Sequence, residues 1–198
     1  MNLKKFLTCV SFIVINLTII SNSYSIEPDV FVQSTVNRAS QVLSDNLSKD
    51  QKIKKLKSIA AETVDIQGIG MYTLGSYRKV LSEDQKQEYN TLFEQYFLKT
   101  FSSRLAEYSN PEIEVKSKEK LNKNYTMVSS ILVSTEQRPK VNIDWRIYTK
   151  NPDDLKIRDL IIEGLSLART QKEEFASIIE SNGGDINALL ASLKEFIK

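Results

Sequence analysis

The sequence predicts an α+β fold in which helices wrap around a four-stranded antiparallel sheet. Three observations predict it. Apolar residues recur at helical spacing through most of residues 29 to 108. From Pro111 the period changes to two. Helical spacing then returns after Thr170 and continues to the C-terminus.

The first segment reads as an address label. Lys4 and Lys5 precede an apolar run from Phe6 to Ile20, and Ser23 and Ser25 place small residues ahead of Ile26. This is the layout of a secretory signal peptide cleaved after residue 25. The run is shorter than the roughly 20 apolar residues a membrane span needs. Cys9 leaves with the peptide, so the mature domain, residues 26–198, holds no cysteine and no disulfide.

Residues 29 to 46 place Phe31, Val32, Val36, Ala39, Val42 and Leu43 on one helical face. Ser48 with Gln51 forms a capping box that opens a second helix with Ile53, Leu56, Ile59 and Ala60 inward. Its lysines, Lys49, Lys52, Lys54, Lys55 and Lys57, read first as a solvated face and second as a dock for an acidic partner. A short helix over 65 to 77 contains Gly68, Gly70 and Gly75, which invite close backbone approach. Ser82 with Gln85 caps a long helix over 83 to 108. Strands follow at 112 to 118, 125 to 135, 140 to 149 and 155 to 163, with Asn151, Pro152 and Asp153 making a turn. Thr170 with Glu173 is expected to cap a further helix that ends at Gly183 and Gly184, and Asp185 the last one.

Composition narrows the function. Without Lys4 and Lys5 the mature chain carries 25 basic against 25 acidic side chains, which argues against nucleic acid as a partner. The chain has no His, which removes His-based acid–base catalysis and most zinc and copper sites. No catalytic residue, metal site or cofactor is expected, and the chain is not expected to be an enzyme.

The long helix is the most informative element. On a helical wheel its apolar residues, from Tyr89 and Leu92 to Leu105 and Tyr108, fill an arc roughly 220° wide, about twice what packing on one neighbour requires. One reading is a central helix buried by several neighbours. The other is a helix with part of its arc lining a cavity for an apolar ligand. Arg104 falls near the middle of this arc, where a charge needs a partner. It either pairs with a carboxylate such as Asp144 or Glu163, or meets a lipid phosphate at a cavity mouth. Trp145 shares a strand face with Val141, Ile143 and Ile147 and reads as core before ligand contact, while Asp144 and Arg146 share the other face.

Several stretches together resemble the MlaC family of phospholipid-binding proteins. They are Leu74-Gly75-Ser76-Tyr77-Arg78; the helix through Phe93, Tyr96, Phe97 and Thr100 to Phe101-Ser102-Ser103-Arg104-Leu105; Val141-Asn142-Ile143-Asp144-Trp145-Arg146; and Ile162-Glu163-Gly164-Leu165-Ser166 with Thr170-Gln171, Glu174-Phe175 and Gly183-Gly184. Ser76 departs from the pattern, because Arg follows the glycine in many relatives. The resemblance implies an NTF2-like or cystatin-like curved sheet with a deep apolar pocket and a phospholipid ligand. It implies a monomeric periplasmic carrier that maintains outer-membrane lipid asymmetry. Its partners would be an outer-membrane lipoprotein complex and the lipid-binding subunit of an inner-membrane ABC transporter. The acyl-chain pocket is expected from Met71, Leu74, Tyr77, Phe93, Phe97, Phe101, Leu105, Ile131, Val133, Ile143, Trp145, Ile161 and Leu165. Headgroup contacts are expected at Arg78, Arg104 and Arg146. A ligand-free adaptor and, more remotely, a lipid hydrolase are the competing readings.

Overall fold

The computed structural model describes residues 25–108, 111–136 and 138–198. The expected signal peptide, with Cys9, lies almost wholly outside them. Helices α1 (Pro28–Ser44), α2 (Lys49–Thr63), α3 (Ile66–Thr73) and α4 (Glu83–Leu105) precede the sheet, with a single 3-10 turn at Tyr77–Lys79. Strands β1 (Ile113–Asn122), β2 (Tyr125–Leu132), β3 (Val141–Tyr148) and β4 (Lys156–Ile162) form an antiparallel meander, and the two-residue β5 (Leu165–Ser166) adds a fifth member. Helices α5 (Leu167–Ser181) and α6 (Ile186–Ile197) close the chain.

Local chemistry accounts for most boundaries. Ser48 and Ser82 each accept from the backbone N–H three residues on, and Gln51 and Gln85 reciprocate, so both capping boxes form. The start of α5 corrects the expected cap at Thr170. Ser166 accepts from Arg169 N, and the helix begins at Leu167. The two-residue strand delivers Ser166 to that position, so pairing with β4 sets the helix start. Gly183 and Gly184 both take positive φ after α5, and Gly184 N–H returns to the Ile179 carbonyl, a Schellman-type ending.

The strand register sorts the sheet into two faces, because antiparallel partners share one. Val128, Trp145 and Leu160 lie in line on the inner face, as do Ser130, Ile143 and Ile162. The outer face carries Met127, Arg146 and Asp159 in one line and Ser129, Asp144 and Ile161 in another. A bulge opposite Arg146 and Ile147 makes this so. Ile147 pairs with Ile157 while Arg146 pairs with Asp159, so Arg158 is the extra residue and parity along β4 reverses there.

One main hydrophobic cluster joins the inner face to all six helices, through residues such as Val32, Ala60, Ile69, Phe93, Phe175 and Leu189. A smaller cluster gathers Val42, Leu43 and Leu56, with Leu105 packed against it. The closest backbone neighbours of α4 are α2, α3 and α6, and no strand is among them. Side chains of α4 and of the inner sheet face meet in the main hydrophobic cluster. Among the described residues no helix is long and apolar enough to cross a membrane.

Candidate functional site

Helix α4 presents an aromatic row toward the interior. Phe93 is buried and stands 6.2 Å from Phe97, which stacks on Phe101 at 5.7 Å with the rings 11° apart. Tyr96 flanks the row and meets Phe175 at 5.9 Å and Phe196 at 4.8 Å. The hydroxyl of Tyr96 donates to Gln171 Oε1 at 2.7 Å, and burial, aided by the nearby Glu174 carboxylate, holds the phenol above its ordinary pKa. Phe97 and Phe101 are only partly buried against the core, together with Val141 and Leu160 of the inner sheet face. Trp145 Nε1–H donates to Ser130 Oγ at 2.8 Å, and Ser130 Oγ–H donates to the Ile143 carbonyl at 3.1 Å. With its one polar atom satisfied, Trp145 offers only hydrocarbon to this space.

The structure brings together part of the expected pocket. Leu74, Phe93, Ile143 and Trp145 are buried in the main cluster, and Met71, Tyr77, Phe97 and Phe101 pack on it. Five other residues stand elsewhere. Leu105 belongs to the smaller cluster. Ile131 and Ile161 lie opposite Asn142 and Asp144 on the outer face. Val133 lies just past the end of β2, and Leu165 is 52% exposed. The bulge at Arg158 explains Ile161, since an uninterrupted alternation from Ile157 would have pointed it inward. On β2 both faces carry apolar residues, Met127 and Ile131 against Val128 and Leu132, so alternation alone could not choose.

The three arginines separate as well. Arg78 is exposed in the 3-10 turn. Arg104 is exposed, a correction to its expected place inside the apolar arc, and among the described residues no carboxylate pairs with it. It sits in the last turn of α4, beyond the core, where a cation also suits the helix dipole. Glu163 instead bonds the backbone and side-chain amides of Asn142. Arg146 lies 3.5 Å from the buried Asp159 carboxylate directly across the ladder, so its partner is not Asp144. Asp159 also accepts from Ser166 Oγ at 2.6 Å and Ala168 N at 3.0 Å, which ties the start of α5 to the sheet.

Arg146 opens onto a cleft of about 390 Å³ between α3, the start of α5 and the β1–β2 hairpin. Sequence reading did not find this cleft. Arg158 forms one side: its Nε and Nη2 meet Asp65 Oδ2 at 2.7 and 2.5 Å, and Nη1 donates to Tyr125 Oη at 3.0 Å. Its guanidinium also lies over the Tyr148 ring at 4.0 Å. Burial pushes the Arg158 pKa down, but the bonds to Asp65 and Tyr125 outweigh it, so the group sits above its ordinary value. The other oxygen of Asp65 caps α3 by accepting from Gly68 N at 2.8 Å. The bulge that frees Arg158 from the ladder left no sign in the sequence.

Comparison with known proteins agrees with this architecture. A family model described as MlaC protein matches residues 33–195. The intermembrane phospholipid transport system binding protein MlaC of Haemophilus influenzae is 23% identical over 205 aligned positions, covering 98% of this chain and 93% of that protein. A phospholipid-binding protein from Ralstonia solanacearum, solved in complex with a phospholipid, superposes with a TM-score of 0.74 at 22% identity, over 87% of this chain and 97% of that one. With the family model spanning α1 to α6, this chain belongs to the MlaC family.

Proposed function

We propose that the protein is a soluble periplasmic carrier that takes up a phospholipid and shields its acyl chains between the Phe97–Phe101 half of α4 and the inner sheet face. It passes lipid between an outer-membrane lipoprotein complex and the lipid-binding subunit of an inner-membrane ABC transporter, and so maintains outer-membrane lipid asymmetry. It acts after loss of residues 1–25, as a single domain and a monomer, without catalytic turnover. The observation that carries this reading is the partly buried Phe97–Phe101 stack, packed on the same core as Val141, Leu160 and a Trp145 whose indole N–H is already bonded, in a chain of the MlaC family.

Magnitudes explain why the walls matter more than polar contacts. Two chains of about 16 carbons carry on the order of 30 CH₂ groups, and exposing them to water costs roughly 25 kcal/mol. A hydrogen bond to a headgroup returns only about 1 kcal/mol. The same chains occupy about 900 Å³, at about 30 Å³ per group, the share of one water molecule. Cavities of about 540, 310 and 390 Å³ lie at the surface, none of them lined by Phe97 or Phe101. On this reading, lipid enters between the second half of α4 and the sheet.

Organic extraction and mass spectrometry of the purified mature chain test the reading. Phospholipid at a fixed ratio to protein is expected, and incubation with phospholipid vesicles is expected to release no fatty acid. Protein that arrives empty and takes up no lipid from vesicles would favour the ligand-free adaptor.

A further inference from the structure

We infer that the end of the molecule built by α1, α2 and α4 is a docking surface for an anionic lipid bilayer. The smaller hydrophobic cluster assembles it. Val42 and Leu43 near the end of α1, Leu56 of α2 and Leu105 of α4 pack there together, so the lysine-rich first half of α2 stands beside the last turn of α4. Residues 44–57 carry five lysines against Asp45 and Asp50, and residues 99–108 carry Lys99 and Arg104 against Glu107. Lys52 Nζ donates to the Leu43 carbonyl at 2.7 Å, and Lys55 stands 3.8 Å from Asp45 Oδ2 with its side chain 53% exposed. Among the described residues Lys49, Lys54, Lys57 and Arg104 have no carboxylate partner.

Net charge does not make this surface; the distribution of charge does. Residues 26–198 carry 25 basic and 25 acidic side chains, so an excess at one end leaves a deficit elsewhere. Helix α4 shows the gradient along its own length. Glu83, Asp84 and Glu88 stand in its first two turns with Lys86 as the single cation, and Lys99 and Arg104 stand in its last two turns with no acid. At a rise of about 1.5 Å per residue, the helix separates these ends by about 34 Å. A neutral molecule with its charge divided in this way turns its positive end toward an anionic surface before contact.

The chemistry suits a bilayer better than an acidic peptide. The free cations of α2 are ammonium groups on flexible stems, which match smeared charge, whereas register with a peptide carboxylate favours a guanidinium fork. None of the clefts of about 540, 310 and 390 Å³ is lined by these lysines or by Arg104. Tyr108, 40% exposed, adds a ring of the kind that settles at a membrane interface, with the Arg138 guanidinium 5.4 Å from its centre. Lysine clusters beside a membrane gain from anionic lipid, and the gain fades with salt. Position gives the docking its use. Phe101 lies one turn before Leu105, so the half of α4 assigned to acyl chains stands beside the cations. Only that use rests on the carrier reading; the attraction does not.

Flotation of the purified protein with vesicles of phosphatidylethanolamine and phosphatidylglycerol tests the dock. Co-flotation is expected at low salt, and its loss at high salt or with vesicles of phosphatidylcholine alone. Lys54→Glu, Lys55→Glu and Lys57→Glu combined should weaken it by at least about tenfold. Lys120→Glu with Lys123→Glu, in the β1–β2 hairpin, should leave it largely intact. The three α2 lysines changed to Gln serve if the reversal fails to fold. Vesicle-bound protein should also show Lys49, Lys54 and Lys57 shielded from acetylation while Lys120 stays reactive. Flotation that ignores phosphatidylglycerol, or that the hairpin variant abolishes as fully as the α2 variant, overturns the inference. So does capture of polyglutamate at these lysines without flotation, which assigns the face to an acidic protein. Protein that yields phospholipid on extraction but does not float sinks the dock and leaves the carrier standing. Protein that floats yet carries and takes up no lipid keeps the dock and sinks the carrier.

Discussion

The two halves of α4 carry similar aromatic residues and end in opposite states. In the first half, Tyr89 and Phe93 are 0% and 2% exposed and stack at 5.7 Å, with Phe175 edge-on to both. Tyr89 Oη lies 2.8 Å from Thr73 Oγ1 and donates to the Gly70 carbonyl at 3.2 Å. In the second half, Phe97 and Phe101 stack on each other and only partly enter the core. The first half is closed by α3, α5 and α6 together. The second packs on the main cluster from its edge, with both rings partly buried. A ring locked by hydrogen-bonded neighbours holds the fold. A ring with one loosely filled side can exchange its neighbour for a ligand.

The comparison breaks most visibly at Phe93. Phe93→Ala removes a fully enclosed ring and is expected to cost about 3–5 kcal/mol, read as a lowered urea midpoint. Lipid per folded molecule should stay near normal. Phe97→Asp is the converse. It should lose co-purifying phospholipid while the chain still folds, at a stability cost of about 1–2 kcal/mol because the site is only partly buried. Normal lipid on that folded variant, by mass spectrometry, would refute the assignment of the second half.

A smaller effect sharpens the first half. Tyr89→Phe loses the hydrogen bonds to Thr73 and Gly70 and should cost about 1 kcal/mol at neutral pH. Burial pushes the Tyr89 phenol well above its ordinary value, opposed by the Thr73 hydrogen bond, so the folded state favours the protonated form. The raised folded pKa makes this contribution full below about pH 10 and lost as pH climbs beyond. Wild type should therefore lose stability above about pH 10 more steeply than Tyr89→Phe. The smallest change expected is at Arg104. With the side chain exposed and, among the described residues, without a carboxylate partner, Arg104→Ala should shift stability by less than about 0.5 kcal/mol and leave lipid loading unchanged.

Much of the fold was legible because it rests on local signals. The Ser48–Gln51 and Ser82–Gln85 boxes and the glycines after α5 are chemistry contained within a few residues, and each marks a real helix end. The alternation from Val141 to Tyr148 placed Ile143, Trp145 and Ile147 on one buried face. The site was legible only in part. Leu105 and Arg104 continue the arc of α4 on a wheel, yet Leu105 packs on the smaller cluster and Arg104 is exposed. A helical wheel records direction around an axis and holds no information on where neighbours stop.

By itself the sequence determined the element types, the aromatic surplus of the long helix and the absence of His chemistry. Those follow from periodicity, composition and short-range hydrogen bonding. Only tertiary structure decided which face each strand residue takes after the bulge at Arg158, that Arg146 pairs with Asp159, and that Asp65, 93 positions before Arg158, holds the guanidinium in place. These depend on register and on contacts between distant segments. A one-residue change of register reverses a whole face, and no local preference encodes it.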